Sequence, residues 1–259
     1  MTTAPAPSNR TIRIFPDIDA LSRATADEFV RIAREAVQKN GKFSVAVAGG
    51  STPKTLNNLL VTDPKLRDAV PWDKMSVFFG DERHVGPGHP DSNYQMVWDT
   101  LISKSPLQEN QIFRIKGEFA SAADAALEYE AVLRQHFGLK PGEFPVFDLV
   151  FFGIGDEGHT LSLFPGTRAL QEKQRLVVHN WVGKLFTDRI TMTAETVNHA
   201  ANAIFMVKGD DKALAVKGIF EGPYEPEQLP SQLIRPKNGK LFWFLDKAAG
   251  SQLSSAVSE

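Results

Sequence analysis

The sequence predicts an α/β protein with a largely parallel sheet flanked by helices. Short apolar runs alternate with longer helical stretches, the pattern that strand–helix–strand units leave in a chain. The composition agrees: 259 residues, 42% hydrophobic and 23% charged, suffice for an ordinary buried core. Several predicted strands also end in loops that combine glycine with polar or charged residues. In a parallel sheet such strand ends share one edge, where ligands bind.

Residues 1–10 are small, polar and proline-bearing, without the apolar stretch of a signal peptide, and read as a flexible tail. Residues 11–250 read as one α/β domain and 251–259 as a second loose tail. Ile12–Phe15 is a weak strand candidate. A helix is expected over Ile18–Gln38, with Asn40-Gly41 as its stop signal. The apolar runs Phe43–Ala48, Met75–Phe79, Phe147–Phe152, Asn202–Lys208 and Lys240–Leu245 predict strands, with Arg175–Val178 a weaker one. Helices are expected at Pro53–Leu60, Ser92–Leu101, Ser121–Phe137, Ala194–Ala201 and Asp210–Phe220. No internal repeat or low-complexity linker divides the chain.

The formal charge of −2 offers no basic footprint for nucleic acid and no pull toward anionic membranes. No apolar run is long enough to span a bilayer. With no cysteine in the chain, a thiol nucleophile, thiolate metal sites and disulfides are excluded. That usage fits a cytoplasmic protein.

Four loops carry the chemistry. In GGSTP (Gly49–Pro53) glycines lead into two hydroxyls and a proline suited to a first helical turn. Free N–H groups and the helix dipole there make a phosphate cradle, although a tight turn with a Ser or Thr cap has the same signature. The loop GDERH (Gly80–His84) sets Asp81, Glu82 and Arg83 directly after a strand, either as substrate-orienting groups or as an exposed ion pair. His84, His89, Asp81 and Asp91 lie close in sequence, but their spacing matches no metal motif, and no metal is expected.

GIGDEGHT (Gly153–Thr160) fits G-x-G-x-x-G literally. Pro165 nevertheless interrupts the helix that a dinucleotide fingerprint requires, and no acidic strand end follows at the usual distance. His159 in this loop is a candidate general base, because imidazole titrates near neutrality. In KGDDK (Lys208–Lys212), Lys212 falls in the first turn after a strand; it and Arg189 are candidate anion holds or ordinary solvated charges.

GGSTP, GDERHV, GIGDEGHTLSLFPGT and KGDDKA, in that order, resemble the 6-phosphogluconolactonase family. That family belongs to a superfamily with glucosamine-6-phosphate deaminase and ribose-5-phosphate isomerase, and the resemblance covers roughly Val45 to Leu245. It implies a Rossmann-like, sugar-phosphate isomerase/deaminase-like fold. The implied activity is hydrolysis of 6-phospho-D-glucono-1,5-lactone in the oxidative pentose phosphate pathway, without cofactor. Ser51, Thr52 and Lys212 would then hold the phosphate, with Gly50 and Arg189 contributing. Asp81 and Arg83 would face the sugar, His159 would be the general base, and Gly155, Glu157 and Gly158 would support its loop. The family's usual D-G-H reads Glu157-Gly158-His159 here. The implied partner is a small phosphosugar lactone, with neither nucleic acid nor membrane, for a monomer or small homo-oligomer. An aldose–ketose isomerase or hexosamine-phosphate deaminase on this scaffold, and a non-catalytic phosphosugar-binding protein, are the alternatives. The deaminase motif has D-E-Y where this chain has Asp81-Glu82-Arg83.

Overall fold

Strands β2 (Phe43–Val47) and β6 (Leu149–Phe152) are buried at every position, so both faces of the sheet are covered where they run. This is why they appear in the sequence as nearly continuous apolar runs, Ser44 excepted, with no polar alternation. In the computed structural model, which describes residues 10–254, these two strands pair at the centre of a seven-stranded sheet. β3 (Met75–Phe79) and the short β5 (Ile112–Phe113) lie beyond β2. Beyond β6 lie β9 (Asn202–Val207), β10 (Lys240–Asp246) and β1 (Arg10–Phe15). The order is β1-β10-β9-β6-β2-β3-β5 and every pairing is parallel.

The helices start and stop where local chemistry permits. Asp17 caps α1 (Ile18–Asn40) by accepting from the Ala20 N–H at 2.8 Å, and Gly41 ends it in the left-handed region. α2 (Ser51–Thr62) is followed at once by α3 (Pro64–Ala69), whose cap is Asp63. Ser92 caps α4 (Asn93–Thr100), and Ser121 caps α5 (Ala122–Phe137). α6 (Ala194–Val197) and α7 (Ala213–Glu221) complete the set.

A second, antiparallel sheet, order β4-β8-β7, consists of β4 (Asp81–Arg83), β7 (Val177–Val182) and β8 (Thr187–Met192). Here the structure corrects the sequence reading. Asp81–Arg83, taken as loop, is a strand, and the Arg175–Val178 candidate begins two residues later and turns back along β8. The helix expected over Ala194–Ala201 ends at Val197, and the Asn198 side chain that follows ties the chain to the segment before β10. It donates to Leu233 O at 2.8 Å and accepts from Arg235 N at 2.6 Å. Asp210–Lys212 forms a 3-10 turn ahead of α7, and α2 starts at Ser51, ahead of Pro53. Arg10, assigned to the tail, opens β1; Ser254 donates from its N–H to Glu221 Oε1 at 2.6 Å. The tail readings for 1–9 and 255–259 lie outside the described residues. No described helix is long and apolar enough to cross a membrane.

β9, β6, β2 and β3 are neighbours and parallel, so the four glycine-bearing loops leave the sheet at the same edge. After β2 the chain moves outward to β3 and β5, and after β6 it moves the other way to β9 and β10. The order reverses between β2 and β6, and a crevice opens at that switch point.

Candidate active site

Two adjoining cavities occupy this edge. One, of about 200 Å³, is lined by Asp81, Arg83, Asn93, Gly155, His159 and Leu161 among others; the second, of about 410 Å³, by Ser51, Thr52, Lys208, Gly209, Lys212 and Asp246. Both share Gly49, Gly50, Gly153 and Ile154, the residues that leave β2 and β6. A larger cavity of about 780 Å³ lies between α5 and β7 and contains none of the four loops. The chemistry-bearing groups therefore gather in the smaller pair.

The larger of the two adjoining cavities has the character of an anion cradle. Gly50, at φ 100°, turns the chain into α2 in a conformation that a side chain would strain. No side chain caps the helix, so its first N–H groups face the cavity without an internal partner. Helix dipole, hydroxyls of Ser51 and Thr52 and the Lys212 ammonium converge there. Lys212 is held by Asp211 at 2.8 Å. The Lys208–Lys212 turn is pinned from the sheet: Asp246, at the end of β10, accepts from the Gly209 N–H at 3.1 Å and from the Ala249 N–H at 2.7 Å.

His159 lines the smaller cavity. The Gly155 N–H donates to its carbonyl at 2.9 Å and the Gly158 N–H to Gly155 O at 3.0 Å, which folds the loop tightly back on itself. A Cβ at Gly155 would strike the His159 ring and Glu157, so only glycine admits this packing. The ring stacks on Phe164 with centroids 4.0 Å apart, and Nδ1 lies 3.1 Å from Oε2 of Glu157. Burial lowers its pKa to about 4, against the opposing pull of Asp81 and Asp156; Lys212 and Arg189 push it further down. The imidazole is therefore neutral at pH 7 and able to accept a proton. The G-x-G-x-x-G match is followed by turns and the 3-10 turn Arg168–Gln171, with no α-helix opening from it.

The DER triplet divides its labour. Asp81 faces the cavity and accepts from Ser162 Oγ at 2.6 Å and from Asn93 Nδ2 at 3.3 Å. Glu82 points away and collects the N–H groups of Arg83, Asn93 and Tyr94 and the Ser92 hydroxyl, at 2.7 to 3.0 Å. Burial raises its pKa while those N–H groups oppose the rise. Arg83 lines the cavity and donates to Asp91 O at 2.7 Å. Arg189 is its cross-strand partner in β8, and its pKa is lowered by burial and by the Arg83 charge. The structure therefore sets Arg189 beside Asp81 and Arg83, whereas Lys212 stands at the α2 end. His84 bonds to Phe119 O at 2.8 Å and His89 is engaged with Asp91. Among the described residues no three His, Asp or Glu side chains form a metal-binding cluster.

Asn93, Ser162 and Asp246 are site residues that the sequence reading missed. Asn93 was within reach of it, at the start of the helix expected after the DER segment.

Fold and site together define a Rossmann-like α/β protein whose switch-point crevice sets the α2 N-terminus, its hydroxyls and the Lys212 ammonium beside a buried, neutral histidine. The model of the family "Glucosamine-6-phosphate isomerases/6-phosphogluconolactonase" matches residues 16–243, and the chain belongs to that family. It is 38% identical to a 6-phosphogluconolactonase of Nostoc sp. over 95% of this chain and 99% of the relative. For a 6-phosphogluconolactonase of Synechocystis sp. the values are 37%, 92% and 98%. The solved 6-phosphogluconolactonase from Trypanosoma cruzi superimposes with a TM-score of 0.82 at 28% identity, covering 98% of each chain.

Proposed function

We propose that this chain, through residues 11–250 acting as one catalytic domain, hydrolyses 6-phospho-D-glucono-1,5-lactone to 6-phospho-D-gluconate in the oxidative pentose phosphate pathway. The observation that carries the reading is a neutral histidine at the switch point, one cavity away from an anion cradle. Near full-length identity of 37–38% to lactonases supports it over a deaminase or a phosphosugar sensor.

A δ-lactone has a polarised carbonyl, so its opening needs neither a covalent nucleophile nor a cofactor. The phosphate sits on the first N–H groups of α2, with the Ser51 and Thr52 hydroxyls and the Lys212 ammonium. Binding energy from this remote group fixes C1 beside His159. His159 takes a proton from water as the oxygen attacks C1, and the imidazolium then protonates the departing ring oxygen. Arg83, with Arg189 beside it, faces the negative charge that builds on the carbonyl oxygen. Asp81, fixed by Ser162 and Asn93, orients sugar hydroxyls. The site needs no metal. We take the enzyme to act in the cytoplasm as a monomer or small homo-oligomer, without nucleic-acid or membrane partners.

The test follows loss of freshly generated lactone above its spontaneous rate. Wild-type protein should accelerate it, and His159→Ala should lower kcat by about 10²–10⁴-fold. Near wild-type turnover in that variant would remove His159 from the role of base. Lys212→Ala should raise KM about tenfold, the size of one lost charge-assisted contact, with the fold intact. An unchanged KM would remove the lysine from the phosphate site.

A further inference from the structure

Lys184 belongs to none of the four loops. It lies in the turn between β7 and β8, yet its ammonium forms an ion pair with Glu157 in the His159 loop. The same ammonium stands 5.4 Å from the centroid of the Phe164 ring, the ring on which His159 stacks. The turn is braced for this reach. Gly183–Leu185 is a 3-10 turn, Phe186 follows in the left-handed region at φ 49°, and its ring packs edge-on to Trp181 at 5.2 Å.

Glu157 has few other options. Both carboxylate oxygens are buried, and no backbone N–H or hydroxyl donates to either. A carboxylate in that position is costly unless a cation meets it. Its neighbours divide it: Lys184 is on Oε1, and Nδ1 of His159 is 3.1 Å from Oε2. Nδ1 faces that carboxylate at ion-pair distance, although not in line for a hydrogen bond, and Nε2 is the nitrogen left for water. A carboxylate held on one side by a cation presents its other oxygen toward the imidazole, and so orients the ring.

We propose that Lys184 is a positioning residue for lactone hydrolysis, holding Glu157 against Nδ1 so that His159 offers Nε2 to the attacking water. This rests on the lactonase reading above and assigns to the β7–β8 turn a part in catalysis.

The groups that face His159 are Asp81 from β4, Asp156 and Glu157 from its own loop, Arg189 from β8, Lys212 after β9 and Lys184 from the β7–β8 turn. Removing Lys184 deletes one cation and releases the Glu157 charge to act on the imidazole alone. Both changes favour the imidazolium.

Lys184→Met should therefore lower kcat about tenfold or more, the cost of a misplaced base, with KM changed less than about twofold. The acid limb of its kcat/KM profile should move up by about one pH unit. Lys184→Arg should keep most of the wild-type rate. In a Glu157→Gln background, Lys184→Met should cost nothing further. An NMR titration of the His159 ring in Lys184→Met reads the coupling without turnover and should show the same upward move. Wild-type kcat, acid limb and ring titration in Lys184→Met would overturn the proposal. So would a loss of activity that tracks a lower Tm with the titration unmoved, which would make Lys184 merely structural. A wild-type protein without lactonase activity would instead sink the function, while the ring titration still decides the coupling.

Discussion

At the scale of the residue, the protonation state of His159 is set by burial more than by any neighbour. Its pKa of about 4 has a direct consequence for rate. On the proposed lactonase reading His159 is the base and acts when neutral, and the neutral form dominates above that value. The acid limb of kcat/KM should therefore fall near pH 4, not near the 6.5 of free histidine. A profile measured from pH 3.5 to 8 checks this; an acid limb at 6.5 would show that the ring is solvated in the working enzyme. The residues themselves were largely legible in the sequence. His159, Asp81, Arg83, Ser51, Thr52 and Lys212 were named from loop chemistry, and the structure brings each to one of two adjoining cavities. Ser162 and Asp246 were not legible. Their roles come from partners on other strands, Asp81 and the Gly209 N–H, and no local pattern announces such a pairing. Arg189 was visible, but its place beside Arg83 was not, because the pairing of β4 with β8 was hidden.

At the scale of the element, Glu82 shows how one side chain places several others. It caps α4 beside Ser92 and thereby fixes Asn93, which in turn holds Asp81. Glu82→Ala would leave those buried N–H groups without an acceptor, at a cost of about 3 kcal/mol. Urea unfolding should show that loss, and kcat should fall with it as Asn93 and Asp81 shift. A variant of unchanged stability would mean that water replaces the carboxylate. The parallel strands and long helices were readable because their apolar periods are strong, Phe43–Val47 and the α1 stripe being the clearest. The second sheet was not. β4 is the charged tripeptide Asp-Glu-Arg, with no apolar signature of its own. It becomes a strand because β8 is there to receive it, and tertiary pairing overrides propensity.

At the scale of the whole molecule, α5 fastens the two sheets to each other. Tyr129 accepts from the Phe79 N–H at 2.9 Å at the end of β3. One residue on, Glu130 accepts from Arg175 Nε at 2.8 Å and from the Leu176 N–H at 3.0 Å, just before β7. Burial would raise the Glu130 pKa, but hydrogen bonds from Arg175 and Arg134 outweigh it and leave the carboxyl below its usual range. Its contribution to stability is thus complete above the ordinary glutamate pKa and is lost as pH falls through the lower folded-state value. Glu130→Ala should cost about 3 kcal/mol near pH 7. It should also flatten the acid side of the stability–pH curve, as denaturant titrations at pH 3 to 7 would reveal; a curve parallel to wild type would show that Glu130 does not titrate with folding.

The same sheet joins the first described strand to the last: among the described residues β1 pairs with β10 alone, Arg10 lying beside Leu241 and Phe15 beside Asp246. During synthesis the ribosome releases the N-terminal strand long before its one neighbour exists. β1 must wait, an unpaired edge on a growing chain, until residues 240–246 have emerged. Contacts so distant in sequence form late and slowly. A message cut short before residue 240 would yield a chain whose opening strand has nowhere to dock, however well the crevice between β2 and β6 had formed.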